Sequence, residues 1–240
     1  MLQRNFFILS FLFVTLMLSS AICKKDDVQN VIPGLCRIST ITAAGNTAFT
    51  ITYRSDGKIS SIANEEFLHS YTYTGNTVII LTTENGAFDE RKTITLNSDG
   101  LPLNVRGDYN QSGTEWYNDA FQYNGKEVFK RIESDYSSSA TETITYTWAD
   151  GNLLKEQSGS YGTTVYTYYS DKKTRDGDHF YYEQLISDGY QYVHNKHLLK
   201  SAKTNNYNAD VFYYTYDSDG KIISYKEDNR QPVSYTYKCN

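Results

Sequence analysis

From Val31 to the C-terminus one pattern recurs nine times. Two apolar or aromatic residues flank a polar one, a turn of two to four residues follows, and an apolar residue begins the return. Ile51-Thr52-Tyr53 leads into Ser55-Asp56-Gly57-Lys58-Ile59, Ile94-Thr95-Leu96 into Ser98-Asp99-Gly100-Leu101, and Tyr214-Thr215-Tyr216 into Ser218-Asp219-Gly220-Lys221-Ile222. The other copies centre on Tyr73, Tyr123, Tyr146, Tyr168, Tyr192 and Tyr237. Between second positions the spacings are 20, 23, 27, 23, 22, 24, 24 and 21 residues, a period that marks repeat architecture. In Tyr-Thr-Tyr the period of two puts both rings on one face and the threonine on the other. Asp-Gly and Asn-Gly supply the positive φ that tight or bulged hairpin turns require. With two strands per copy, the chain predicts an all-β antiparallel hairpin meander of about 18 strands.

The rest of the sequence agrees. Only three prolines occur in 240 residues, so most backbone donors are available for ladders. No segment holds a helical period; residues 63–70 come nearest, with room for one short turn. No linker or composition break divides residues 35–240, which read as a single domain. Strands of about 6–8 residues between turn signals are shorter than the 9–11 a bilayer demands, and charges fall too densely for an apolar outer band. The mean hydropathy is −0.57. A circular barrel of about 18 strands would leave a water-filled bore. The expectation is therefore a flattened soluble barrel or curled sheet, its tyrosine faces meeting inside.

Residues 1–22 read as an export signal. Arg4 gives the positive start, and Phe6–Leu18 is an uncharged apolar run too short to span a bilayer comfortably. Ser19-Ser20-Ala21-Ile22-Cys23 follows, then Lys24-Lys25-Asp26-Asp27. A cysteine after small residues at the end of an apolar run resembles the lipobox of bacterial lipoproteins. That resemblance implies cleavage before Cys23 and acylation of that residue, a membrane partner reached through the lipid, and a tether over residues 23–34. Ile22 departs from the small residue usual before the cysteine; an ordinary secretory signal or an uncleaved anchor is the alternative. Lys25-Asp26-Asp27 is similar to the tether that, in Bacteroidota lipoproteins, directs export to the outer leaflet. The resemblance implies an outer-membrane, surface-exposed location, with the periplasmic face as the alternative.

Tyr216-Asp217-Ser218-Asp219-Gly220-Lys221-Ile222 resembles the YD repeat of Rhs-type bacterial proteins, and Tyr53–Ile59 is close to it, with Arg54 where the Asp stands. With the leader, residues 36–240 look like a family of Bacteroidota lipoproteins described as a porin-like β-meander. The resemblance implies architecture; the family carries no assigned activity.

Composition narrows function further. Against 28 acidic residues stand 23 basic ones, Arg4 among them, a balance that excludes nucleic acid as a partner. Twenty-three tyrosines exclude a disordered acidic chain, and both methionines, Met1 and Met17, lie in the leader, which excludes a Met-rich binding surface. No catalytic motif emerges, and no cofactor is implied. Gly159-Ser160-Tyr161-Gly162 lacks the spacing of a nucleophile elbow, and Cys36 and Cys239 lack a neighbouring histidine. Asp217–Gly220 lacks the ligands of a calcium loop and reads as a hairpin tip. His194 and His197 stand three apart without a carboxylate or cysteine at ligand spacing, so no metal is expected. Asp176, Asp178 and His179 form a second polar cluster that suits a weak cation site and a loop tip equally.

The aromatic surplus is the remaining clue. Where two aromatics are adjacent in a strand, one ring faces away from the inside. Trp116, Tyr117, Trp148, Tyr169, Tyr181 and Tyr213 are the candidate binding residues on this argument, set against cross-strand packing on a solvated sheet. The reading is a non-catalytic, surface-exposed binding or adhesion module for a glycan or another surface protein. The alternatives are a structural envelope protein without a specific ligand, and a hydrolase. Without Cys23 two cysteines remain, Cys36 and Cys239, near the two ends of the body. A disulfide between them requires a sheet whose ends meet; two buried thiols are the alternative.

Overall fold

A computed structural model describes residues 36–43, 48–228 and 230–239. The leader 1–22, Cys23 and the tether 23–34 lie outside the described residues. Sixteen strands follow in order: β1 (Cys36–Thr42), β2 (Phe49–Tyr53), β3 (Ile59–Ala63), β4 (Phe67–Thr74), β5 (Thr77–Glu84), β6 (Ala87–Leu96), β7 (Pro102–Asp108) and β8 (Trp116–Asn124), then β9 (Glu127–Asp135), β10 (Glu142–Ala149), β11 (Asn152–Ser158), β12 (Gly162–Lys173), β13 (His197–Thr204), β14 (Asp210–Tyr216), β15 (Ile222–Glu227) and β16 (Val233–Cys239). Each pairs antiparallel with the next, and β1 pairs with β16, so the meander closes into a barrel. Cys36 lies opposite Cys239 in that last ladder, and the two form a disulfide across 203 residues of sequence. A loop that long gives an entropic stabilisation of at most about 5 kcal/mol.

The even-numbered strands carry the repeat's aromatic ends and hand over to their return strands at one end of the barrel, the turn rim. Asn97 and Asp217 shape two of these turns by accepting backbone N–H bonds two and four residues on. Gly220 takes φ of +78° there. The other end of the barrel is the open mouth.

The count is sixteen rather than about eighteen because two copies of the repeat have fused. Tyr166-Thr167-Tyr168 lies in β12 but has no return strand of its own; Tyr190-Gln191-Tyr192 forms no strand, though its return is β13. The chain between them, Thr174–Lys196, leaves the turn rim, enters the bore and comes back, its ends joined by Thr174 N–H to Lys196 O. It holds a short helix α1 (His179–Glu183), capped by the Asp178 carboxylate at Tyr181 N–H, and a π-helical turn (Gln184–Asp188). Helix therefore occurs here and not at residues 63–70, which open into β4. Asp178 and His179 are deep in the barrel rather than at a loop tip: His179 packs 4.5 Å from the Phe212 ring, and burial pushes its pKa down to about 3.

This inner segment replaces the expected flattening, because sixteen strands enclose more space than their side chains fill. Phe180 meets Tyr166, Tyr182 meets Tyr225, and Tyr192 meets Phe121 at ring distances of 5.6, 5.8 and 5.0 Å. The Tyr71 hydroxyl donates to Gly189 O at 2.9 Å. Gln184 Oε1 takes the N–H groups of Tyr192 and Val193, and Asn195 Oδ1 takes Leu153 N–H, so buried backbone donors are satisfied without a ladder. Around this axis pack Ile38, Ile41, Ile62, Ile94, Ile144, Leu153 and Phe212.

A second regularity sits near the turn rim. In β1, β3, β7, β9, β11, β13 and β15 one residue is extra to the ladder: Ser39, Ser60, Leu103, Phe129, Leu154, Lys200 and Ile223. A bulge disrupts the ladder locally. At five of these bulges the carbonyl just before the extra residue is taken by an inward aromatic of the next repeat. Tyr53, Tyr73, Tyr168 and Tyr237 donate hydroxyls to Ile38 O, Ile59 O, Leu153 O and Ile222 O, and the Trp148 indole donates to Val128 O. Strand β5 pairs with β4 without a bulge, and there the next repeat carries Leu96, which has no donor.

The outer face mixes many hydroxyls with exposed apolar side chains such as Leu68, Leu81 and Val165. Thr50, Thr52, Thr72, Thr143, Thr145, Thr147, Thr167, Thr215, Ser234 and Thr236 all point out and are exposed. Strands β6, β8, β9 and β12 reach 9–12 residues, longer than the sequence led us to expect. Strand length therefore does not distinguish this barrel from a membrane one.

Removing the Tyr168 hydroxyl should strand the buried Leu153 carbonyl while keeping the ring. Tyr168→Phe is expected to cost about 1–2 kcal/mol in urea unfolding, and Thr167→Val, on the outer face, much less. Equal costs would contradict the clamp.

Candidate functional site

The inner segment does not fill the barrel to its open mouth. Ser187–Tyr190 forms the floor of a cup of about 630 Å³ open to solvent. Inward positions of β6, β8 and β9 make the wall, and the loops bearing Tyr109, Ser138–Thr141 and Ser160–Tyr161 make the lip.

Two cations organise the wall. Lys92, buried on β6, donates to Asp188 O at 3.0 Å and pairs with Glu90 at 3.2 Å, which fixes the floor to the strand. Arg131 on β9 lies 3.3 Å from Asp119 and 2.5 Å from Glu133, and donates to the Tyr192 hydroxyl at 3.2 Å. Tyr117 stands against Gly107, where a Cβ would fall 2.0 Å from the ring, so the wall is built on the absence of that side chain. Its ring meets Tyr109 at 5.3 Å.

Six carboxylates line the cup, and two serve the lip. Glu142 accepts from the N–H groups of Gly159 and Ser160 and from the Ser160 hydroxyl, which hold its pKa below the usual range. Asp135 accepts from Ser137 and Ser138 and is likewise held low. Asp119, Glu133 and Asp188 behave oppositely. Burial raises all three, against the lowering charge of Arg131 on each and of Lys92 on Asp119 and Asp188. Tyr109 and Tyr161, 50% and 66% exposed, present their rings at the lip. The cup thus combines aromatic faces with charged hydrogen-bonding groups and an excess of negative charge.

The six aromatics chosen from sequence are scattered. Trp116 and Tyr117 divide as the period of two requires: Tyr117 lines the cup, while Trp116 faces out on its flank beneath Arg106, 5.2 Å from the ring. Tyr213 is 52% exposed, on the outer face of β14. Trp148 is one of the bulge clamps, not an outward ring. Tyr169 follows a register shift and bonds Phe212 O at 2.8 Å. Tyr181 lies on α1 inside the barrel, where a period of two does not apply. His197 contacts Asn152 at 3.1 Å and His194 is exposed. Among the described residues, no group of three or more His, Cys, Asp or Glu side chains is arranged to hold a metal ion.

The sequence reading missed Glu90, Lys92, Asp119, Arg131, Glu133 and Asp188. Parity could have found two of them. Lys92 stands two residues before inward Ile94, and Asp119 two before inward Phe121; a charge on a barrel's inward parity must face something polar.

No known protein family matches the chain, and no curated protein matches it. Solved structures do. A porin-like protein from Bacteroides uniformis ATCC 8492 superimposes with a TM-score of 0.61 at 14% identity, over 84% of this chain and 98% of that one. A porin-like protein from Bacteroides vulgatus ATCC 8482 gives 0.55 at 13% identity over the same shares. At these identities what is shared is the fold.

Arg131 holds the wall together electrostatically. Asp119 and Glu133 keep their protons to higher pH in the fold than unfolded. Their contribution is therefore full below about pH 4 and is lost as pH rises through the raised values. Arg131→Met removes the charge that limits this loss, and is expected to cost about 3–5 kcal/mol at pH 7 and clearly less at pH 5. Urea midpoints at the two pH values check it; a pH-independent penalty would contradict the coupling.

Proposed function

We propose that this protein is a non-catalytic, lipid-anchored envelope protein, displayed on the cell's outer surface, whose open mouth binds a carbohydrate. The cup at the mouth carries the reading. Sugars offer flat apolar faces that stack on exposed rings such as Tyr109 and Tyr161, and hydroxyls that bond side chains such as Asp119, Arg131 and Glu133. The surplus of carboxylates favours neutral or amino sugars and disfavours uronic acids and sulfated glycans. The two structural neighbours are called porin-like, but conduction is not part of this reading, because the inner segment occupies the bore. The lipobox-like Ser19–Cys23 and the Lys25-Asp26-Asp27 stretch that follows support the anchoring and surface parts of this reading.

Glycan-array screening of the purified protein tests the function. Binding to neutral or amino-sugar glycans, weakened by about tenfold in Tyr161→Ala with folding unchanged, is the expected outcome. Binding confined to anionic glycans, or unaffected by Tyr161→Ala, would contradict the cup as the site. No binding to any glycan would favour a structural role.

A further inference from the structure

The bulges near the turn rim leave apolar side chains pointing outward. Leu103, Phe129 and Leu154, the extra residues of β7, β9 and β11, are 41%, 44% and 38% exposed, and Ile223 of β15 is 39% exposed. Each sits one ladder step beyond an inward residue near its turn, so the four share one level on the barrel. The exposed lysines Lys126 and Lys200 lie on the same rim, at the β8–β9 turn and at the β13 bulge, with exposed Asp99 and Asp150 in the β6–β7 and β10–β11 turns.

The same rim is where the chain enters the barrel. Cys36 opens β1 there, opposite Cys239. Twelve residues separate Cys36 from Cys23, a span of ~40 Å at most when fully extended. The apolar arc on β7, β9 and β11 lies across the barrel from the β1–β16 seam. The acidic cup is at the far end.

We propose that the turn rim docks on an anionic lipid surface, with Leu103, Phe129 and Leu154 in the interfacial layer and the open mouth facing away. Bulky apolar side chains interleaved with lysines suit that layer, where apolar area and attraction to anionic headgroups add. An anionic surface repels the acidic mouth, which favours the same orientation. A tether at the seam alone lets the barrel swing; contact on the opposite side fixes it upright. The tether's part in this rests on acylation at Cys23, whereas the rim's affinity for lipid does not.

The disulfide and the acylated Cys23 leave a cysteine placed at Phe129 or Leu154 as the sole free thiol. Full-chain Phe129→Cys and Leu154→Cys, each carrying a polarity-sensitive fluorophore, are compared in membranes with Tyr207→Cys at the open mouth, using a nitroxide lipid as quencher. Several-fold stronger quenching at 129 and 154 than at 207 is expected. Equal quenching at all three, or none, overturns docking. A probe shielded at 129 without lipid quenching, in a protein that runs as a dimer, assigns the rim to a second copy and also overturns it. If the protein is found released from membranes, acylation has failed as a reading. The probes are then placed in a Cys23→Ser background and read on the released protein with phosphatidylglycerol vesicles: quenching at 129 supports docking, and its absence overturns it.

Discussion

Sixteen strands enclose a bore that their own side chains cannot fill, and the rest of the structure follows from how that space is occupied. The chain fills it with Thr174–Lys196, a segment drawn from the repeat itself. Away from any ladder, its backbone needs other partners, and buried Gln184 and Asp178 supply them, while Asn195 takes the Leu153 N–H of β11. Buried polar groups without partners cost free energy, so these side chains belong to the fold as much as the isoleucines do. Where the segment stops short of the open mouth, its Ser187–Tyr190 turn becomes the floor of the cup. The site is the unfilled remainder of the bore.

Near the turn rim a second constraint has consequences inside and outside. At five of the seven bulges an inward tyrosine or tryptophan takes the carbonyl just before the extra residue, as Tyr73 does at Ile59 and Trp148 at Val128. Bulges also turn Leu103, Phe129, Leu154 and Ile223 outward. Tyr53, Tyr73, Tyr168 and Tyr237 are therefore hydrogen-bond donors as well as ring surface, and the apolar rim follows from the bulges themselves.

Much of this was legible in the residues. The period of two in Tyr-Thr-Tyr, with Asp-Gly turns, led to the hairpin meander, because strand parity and turn φ are local properties. Closure depends on the distant Cys36–Cys239 pairing and stood open between a barrel and a curled sheet. The fused copies were not legible: Tyr190-Gln191-Tyr192 has the same pattern as a strand, and only the tertiary need to fill the bore diverts it. For the same reason Tyr181 was misread as an outward ring and His179 as part of a loop tip. The cup was half legible. Tyr117 fell to the period of two, but Arg131, Asp119 and Glu133 come together only across the β8–β9 ladder, whose register no single strand reveals.

Native-state hydrogen exchange tests the central claim most directly. If Thr174–Lys196 is the packed axis of the barrel, the amides of Tyr181, Tyr192 and Val193 exchange as slowly as those of the surrounding strands, through unfolding of the whole barrel. Exchange of these amides at the rate of the exposed Asn205–Ala209 loop, with the strands still protected, would contradict it.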